Sequence, residues 1–155
     1  MKRMAWILIT LLLLYGCASK EAPARETVFS MDTIMDLQVW GKDAEAAVTE
    51  LTALLQDLEK TWSVTDPDSV LSSLNGGAAD LTQEQQWLLD RVEALFLRTD
   101  GAFDPKLYNL MSLWGFSTDA YHVPTDSELC AAMKDPQWDL GAAVKGYAGD
   151  RWWNA

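Results

Sequence analysis

The sequence predicts an α+β fold, helices packed on a sheet, and three observations lead there. Residues 27–40 contain an apolar and polar alternation, the mark of a half-buried strand. Residues 47–62 repeat apolar side chains at three- and four-residue steps, the mark of an amphipathic helix. Two Thr-x-x-Gln/Glu spacings then open further apolar stripes, as capping boxes do. At 155 residues the chain fits one domain, or one lobe of a larger enzyme.

The chain opens on Lys2 and Arg3 followed by the apolar run Met4 to Tyr15, which reads as a signal peptide over residues 1–16. That run is short of the roughly 20 apolar residues a membrane span needs. Leu14-Tyr15-Gly16-Cys17 resembles a bacterial lipobox, in which small residues admit the peptidase and the cysteine thiol takes a diacylglycerol. The lipobox implies a lipidated Cys17, a tether over residues 17–26, and a folded part over residues 27–155 held at the cell membrane, facing outside the cytoplasm.

From Thr27 to Trp40 one strand is expected, with Met35, Leu37 and Val39 on one side and Asp36, Gln38 and Trp40 on the other. Asp43 is placed to cap a helix whose stripe is Ala47, Val48, Leu51, Leu54, Leu55, Leu58 and Trp62. Asp66-Pro67-Asp68-Ser69 and Asn75-Gly76-Gly77 are turn formers and predict a structured loop. Thr82 and Gln85 open a second helix with Leu88, Val92, Leu95 and Phe96 on its face, ending at a connection, Asp100-Gly101. Asp104-Pro105 reads as an N-cap and first helical residue, followed by Leu107, Leu110, Met111 and Trp114. Thr125 and Glu128 repeat the capping spacing before Leu129, Ala132 and Met133.

Composition excludes several classes. The formal net charge is -11, and Lys2 and Arg3 lie in the leader, so the remainder is more acidic still and repels nucleic acid. Once Cys17 is lipidated, Cys130 alone cannot close an intrachain disulfide and reads as a small apolar helix residue. His122, the only histidine, stands in a polar connection without a local partner. There is no His-Glu-x-x-His and no paired Cys-x-x-Cys, and Gly141 to Gly146 lacks the Lys-Ser/Thr ending of a phosphate-binding loop.

Four blocks carry a resemblance to one family. Phe29-Ser30-Met31-Asp32-Thr33 resembles the opening Phe-x-Met-Gly-Thr of the ApbE-type flavin transferases, with Asp32 in place of the usual glycine. Ser63-Val64-Thr65-Asp66-Pro67-Asp68-Ser69 with Leu74-Asn75 resembles their Ser-x-x-x-Pro-Asp-Ser…Leu-Asn. Thr99 to Pro105 with Leu113-Trp114-Gly115-Phe116 resembles Thr-x-Gly-x-Phe-Asp-Pro…Leu-Trp-Gly-Phe, Lys106 departing from a usual small or hydroxyl residue. Asp139 to Asp150 is similar to Asp-Leu-Gly-x-x-x-Lys-Gly-Tyr-Ala-x-Asp.

The resemblance implies FAD and Mg²⁺ as ligands. It also implies transfer of FMN from FAD to a Thr or Ser hydroxyl of a partner protein, with release of AMP. Met31, Thr65, Ala102, Phe103, Asp104, Asp139 and Lys145 would line the FAD site, Lys145 would act catalytically, and Ala142 would offer its carbonyl to Mg²⁺. A metal and a cation suit the breaking of a pyrophosphate bond because they neutralise charge gathering on the leaving phosphate. The fold implied is helices on a mixed or antiparallel sheet that this chain carries incompletely. The family's C-terminal half, with its remaining metal ligands, an aspartate and a Thr or Ser, would lie beyond Ala155. Hydrolysis of FAD to FMN and AMP, and a flavin-binding or inert lipoprotein remnant, are the competing expectations.

Overall fold

The computed structural model describes residues 22–116 and 120–153. The leader and Cys17 lie outside the described residues. Two strands, β1 (Ala24–Ser30) and β2 (Thr33–Val39), pair antiparallel with Ala24 opposite Val39 and Ser30 opposite Thr33. The expected single strand is therefore a hairpin. Its two-residue loop, Met31 and Asp32, has φ of 53° and 54°, the type I′ geometry that matches the twist of the flanking strands. A glycine is favoured at such a position because it has no Cβ to strain, which accounts for the glycine usual in place of Asp32. Met31 carries the larger strain, of order 1–2 kcal/mol, and its side chain packs on the main core.

The expected boundary at residue 27 also moves. Ala24, Arg25 and Glu26 pair with Val39, Gln38 and Leu37, and Ala24 is buried against Ala44 and Val48. Pairing gives these residues a strand conformation that their own composition does not specify. On β2, Met35, Leu37 and Val39 do share the half-buried face, and Asp36 and Gln38 the exposed one.

Six helices follow among the described residues: α1 (Ala44–Trp62), α2 (Val70–Asn75), α3 (Gln83–Arg98), α4 (Tyr108–Leu113), α5 (Asp126–Ala132) and α6 (Gly141–Trp153). Helix α1 packs on both strands and against α2 and α6. Its Leu55, Leu58 and Trp62 meet Leu71, Leu88, Leu89, Val92, Leu140, Val144 and Ala148 in the main core. Buried Ser30 donates to the Leu55 carbonyl at 3.3 Å and ties the hairpin end to this helix.

Both Thr capping boxes form, Thr82 with Gln85 and Thr125 with Glu128. The Thr125 backbone N–H and hydroxyl hold the Glu128 carboxyl below its ordinary 4.5. That contribution to the cap is complete above pH 4.5 and is lost as pH falls through the lowered value. Asp43 stands at the N-cap of α1 but makes no side-chain bond, because its φ of -106° and ψ of 22° lie outside the extended conformation a capping side chain needs. Leu95 is 39% exposed, and Leu89 joins Leu88 and Val92 in the core instead.

The stretch after Asp104 departs further from expectation. Helix α4 starts at Tyr108, not at Pro105, because the Pro105 carbonyl accepts from Asp139 N at 2.8 Å and Tyr108 N donates to the Gln137 carbonyl at 3.2 Å. These bonds, with a parallel bridge between Leu107 and Gln137, hold the turn at residues 105–107 against the segment leading into α6. No residue of α4 is fully buried, and Leu107 and Met111 are exposed. Cys130 lies on α5 as a helix residue but faces solvent, as Met133 does. His122 is exposed in a non-helical segment.

Candidate functional site

Hydrogen bonds that sequence spacing does not reveal join the third block to the fourth, through Pro105 and Asp139, and tie the second to Trp138 just ahead of the fourth. Asp139 N on the Pro105 carbonyl sets the Asp104 and Asp139 segments side by side. Asp104 is half-buried, and its Oδ1 accepts from Lys106 N at 2.8 Å, closing a turn of three residues. Asp139 Oδ1 accepts from Gly141 N at 2.8 Å, at the entrance of α6. Each carboxylate thus spends one oxygen on its own backbone and keeps Oδ2 without a partner among the described residues. Two acceptors so placed suit hydroxyl or N–H groups of a ligand.

Lys106 bridges from the Asp104 turn to two neighbours. Its Nζ lies 2.9 Å from Glu93 Oε1 and 4.3 Å from the Trp138 ring centre. This side chain, which departs from the family pattern, fastens α3 to the segment before α6.

Helix α6 turns Val144 and Ala148 into the core beside Leu140, the residue before it, and leaves Ala142, Lys145, Gly146 and Gly149 exposed. Lys145 has no ion pair or hydrogen bond among the described residues. A Cβ added at Gly146 or Gly149 would meet nothing within 4 Å, so nothing among the described residues demands glycine there. Tyr147, from the same block, is taken up structurally: its hydroxyl donates to Glu84 Oε1 at 2.5 Å, and Arg151 sits 3.1 Å from the same oxygen. Burial and the bond to Glu84 raise the Tyr147 pKa above 10.0, so this link persists until pH rises past that value.

Ala142 lies in the first turn of α6, where its carbonyl points along the helix toward the next turn. Among the described residues no group of three or more His, Cys, Asp or Glu could hold a metal ion. One carbonyl is a poor fit for a hard cation that takes about six oxygen ligands.

Met31 and Phe103 both pack against the main core. Phe103 N donates to Thr99 Oγ1 at 3.1 Å, which gives the family's threonine a local task. Ala102 is exposed on the same turn. Thr65 is also exposed, and its hydrogen bonds go to Ser63. Its loop is nonetheless fixed: Ser69 Oγ donates to the Ser63 carbonyl at 2.5 Å and Ser72 Oγ to the Asp66 carbonyl at 2.6 Å. No hydrogen bond joins Thr65 or Lys145 to the two aspartates among the described residues.

Residues 31–155 match the profile of the ApbE family. The chain belongs to the ApbE family. It is 35% identical over 137 residues to the FAD:protein FMN transferase of Vibrio cholerae, covering 80% of this chain and 40% of that protein. It is 26% identical over 182 residues to the FAD:protein FMN transferase of Treponema pallidum, covering 94% of this chain and 50% of that protein. The crystal structure of the ApbE protein from Thermotoga maritima superposes with a TM-score of 0.75 at 24% identity, over 84% of this chain and 51% of that one, and shows the ApbE fold. The chain spans about half the length of these relatives or less. Helices packed on an antiparallel pair of strands, the architecture expected from sequence, is the corresponding part of that fold.

Sequence reasoning gave Asn75 no role beyond a turn former. It is the last residue of α2, and its carboxamide bonds both the N–H and the carbonyl of Trp138, 63 residues away. The only signal available was its place in the Leu-Asn pair of the resemblance.

Proposed function

We propose that residues 31–153 form the FAD-holding part of an FAD:protein FMN transferase. The juxtaposition of Asp104 and Asp139 by the Pro105–Asp139 hydrogen bond carries this reading most directly. The residue types suit the dinucleotide: the free carboxylate oxygens can accept from ribose or ring N–H groups. Met31, Ala102 and Phe103 offer apolar surface, and Thr65 an exposed hydroxyl. Lys145, unpaired on an exposed face, is suited to the pyrophosphate, where a cation lowers the barrier as negative charge builds on the leaving phosphate.

In the transfer, a Thr or Ser hydroxyl oxygen of the acceptor protein bonds to the FMN phosphorus, the pyrophosphate P–O bond breaks, and AMP departs. The hydroxyl proton passes to solvent. Mg²⁺ is the expected divalent partner by family, but Ala142 alone does not make its site, so no step is assigned to it. Incubating the chain with FAD, Mg²⁺ and a threonine-containing acceptor peptide, followed by mass spectrometry, tests the reading. Flavin-phosphate on the peptide with AMP released supports transfer. FMN and AMP formed equally without peptide would mean hydrolysis instead, and FAD binding without either product would leave a binding protein.

Gly146 offers a sharper test of where the nucleotide lies. Gly146→Ala clashes with nothing among the described residues and should stabilise α6 by about 0.5–1 kcal/mol. If FAD approaches the backbone beside Lys145, the same change weakens FAD binding. A higher melting temperature with unchanged FAD affinity would move the nucleotide off this face.

We also place the protein at the cell membrane, outside the cytoplasm, through a lipid on Cys17. The support is the lipobox-like Leu14-Tyr15-Gly16-Cys17 behind an apolar leader. Cys17→Ala should release the protein from membranes or block its processing, read by fractionation and intact mass. Membrane attachment and mature mass identical to the unsubstituted protein would remove the anchor.

A further inference from the structure

Asn75 makes a pairing that resembles a strand ladder. Its Nδ2 donates to the Trp138 carbonyl at 3.1 Å, and its Oδ1 accepts from Trp138 N at 2.8 Å. The carboxamide therefore stands in for a peptide group and satisfies both backbone groups of one half-buried residue. The two bonds fix which way the amide faces, since a flip would set donor on donor and acceptor on acceptor.

The residues on either side of Trp138 are held by other parts of the chain. Gln137 accepts from Tyr108 N at 3.2 Å, Asp139 N donates to Pro105 at 2.8 Å, and the Trp138 ring lies under Lys106 Nζ. Asn75 contributes the remaining side. It closes α2, which the Ser63, Ser69 and Ser72 hydrogen bonds join to the loop bearing Thr65. Asn75 thus couples the Thr65 loop to the residue immediately before Asp139.

We propose that Asn75 is a positioning residue for the flavin nucleotide: without touching it, the clamp on Trp138 holds the Asp139 carboxylate in register with Asp104 and with the Thr65 loop. The proposal rests on the FAD reading above. A hydrogen bond contributes little net stability, whereas a binding constellation must be held to within about 0.5 Å, so losing the clamp should harm affinity more than folding.

The test titrates FAD by fluorescence into the full chain and into Asn75→Ala and Asn75→Asp, with thermal unfolding on the same samples. Folded Asn75→Ala should bind FAD about tenfold more weakly. Asn75→Asp should be equally weak near neutral pH, where a carboxylate faces the Trp138 carbonyl and lacks the donor. It should recover most of the loss at about pH 5, because a carboxyl facing that carbonyl is protonated readily and again both donates and accepts. The unsubstituted chain, measured at both pH values, supplies the reference.

Wild-type affinity in folded Asn75→Ala would overturn the proposal. So would a loss that follows only the unfolded fraction, with no recovery of Asn75→Asp on acidification. Failure of the unsubstituted chain to bind FAD would instead overturn the FAD reading and the ligand half of the proposal with it. Amide exchange then decides the clamp: faster exchange at Trp138, Asp139 and Gly141 in Asn75→Ala, with α1 unchanged, retains the positioning role, and unchanged exchange at those amides removes it.

Discussion

Gly115→Ala should destabilise the chain by about 2–4 kcal/mol, the largest effect expected of any single glycine substitution here. Gly115 ends α4 in a Schellman arrangement: Phe116 N donates to the Met111 carbonyl at 3.2 Å and Gly115 N to the Ser112 carbonyl at 2.9 Å. This closure needs a left-handed residue, and Gly115 has φ of 82°. An alanine there bears strain of about 1–2 kcal/mol before any contact is counted. Its Cβ would also stand 2.6 Å from the Ala120 carbonyl carbon and 2.9 Å from Tyr121 N, closer than real Cβ atoms approach backbone. Because the obstacle is backbone, relief requires moving the Ala120–Tyr121 segment. Urea unfolding measures the loss, and a change below about 0.5 kcal/mol would mean that this segment yields freely. Gly146→Ala is the natural control, being helical, unobstructed and expected to change stability in the opposite direction.

The same closure recurs where turns were read from sequence. Gly77, with φ of 74°, ends α2, and Asp100, with φ of 52°, ends α3, each with the paired Schellman bonds. Such stops are legible because their chemistry is local: a glycine, or an aspartate that tolerates left-handed backbone, beside the last apolar residue of a stripe. The Thr82 and Thr125 capping boxes are legible for the same reason, since both partners lie three residues apart.

What was not legible depends on distant partners. Nothing in Ala24-Arg25-Glu26 specifies a strand until Leu37, Gln38 and Val39 lie alongside. Met31 and Asp32 lack the Asn-Gly signature of a tight hairpin, so the turn was hidden inside an apparent strand. Asp104-Pro105 has every local mark of a helix start, yet the Pro105 carbonyl is committed to Asp139 and the helix waits until Tyr108. In the candidate site, the residue types came from the family resemblance. The adjacency of Asp104 and Asp139, and the Asn75 clamp beside them, came only from the fold.

Asp104→Ala should weaken FAD binding by about 1.5–3 kcal/mol, the range for losing a hydrogen bond to a charged group. The structure narrows what else this substitution can do. Asp104 does not cap α4, which begins four residues later, so loss of a helix cap is no longer part of the expectation. What it does cap is its own turn, through Oδ1 and Lys106 N, and losing that bond should cost about 0.5–1.5 kcal/mol of stability. Oδ2 has no hydrogen-bond partner among the described residues and, on the proposed reading, is the atom that meets the nucleotide. Asp104→Asn separates the two tasks: it retains an oxygen for Lys106 N but replaces the second acceptor with a donor. Stability should therefore return toward the unsubstituted value in Asp104→Asn while FAD affinity stays low. Fluorescence titration and thermal unfolding on the same samples read both quantities. Full FAD affinity in folded Asp104→Ala would remove this carboxylate from the site, and recovery of affinity in Asp104→Asn would show that the turn, rather than the free oxygen, is what the nucleotide requires.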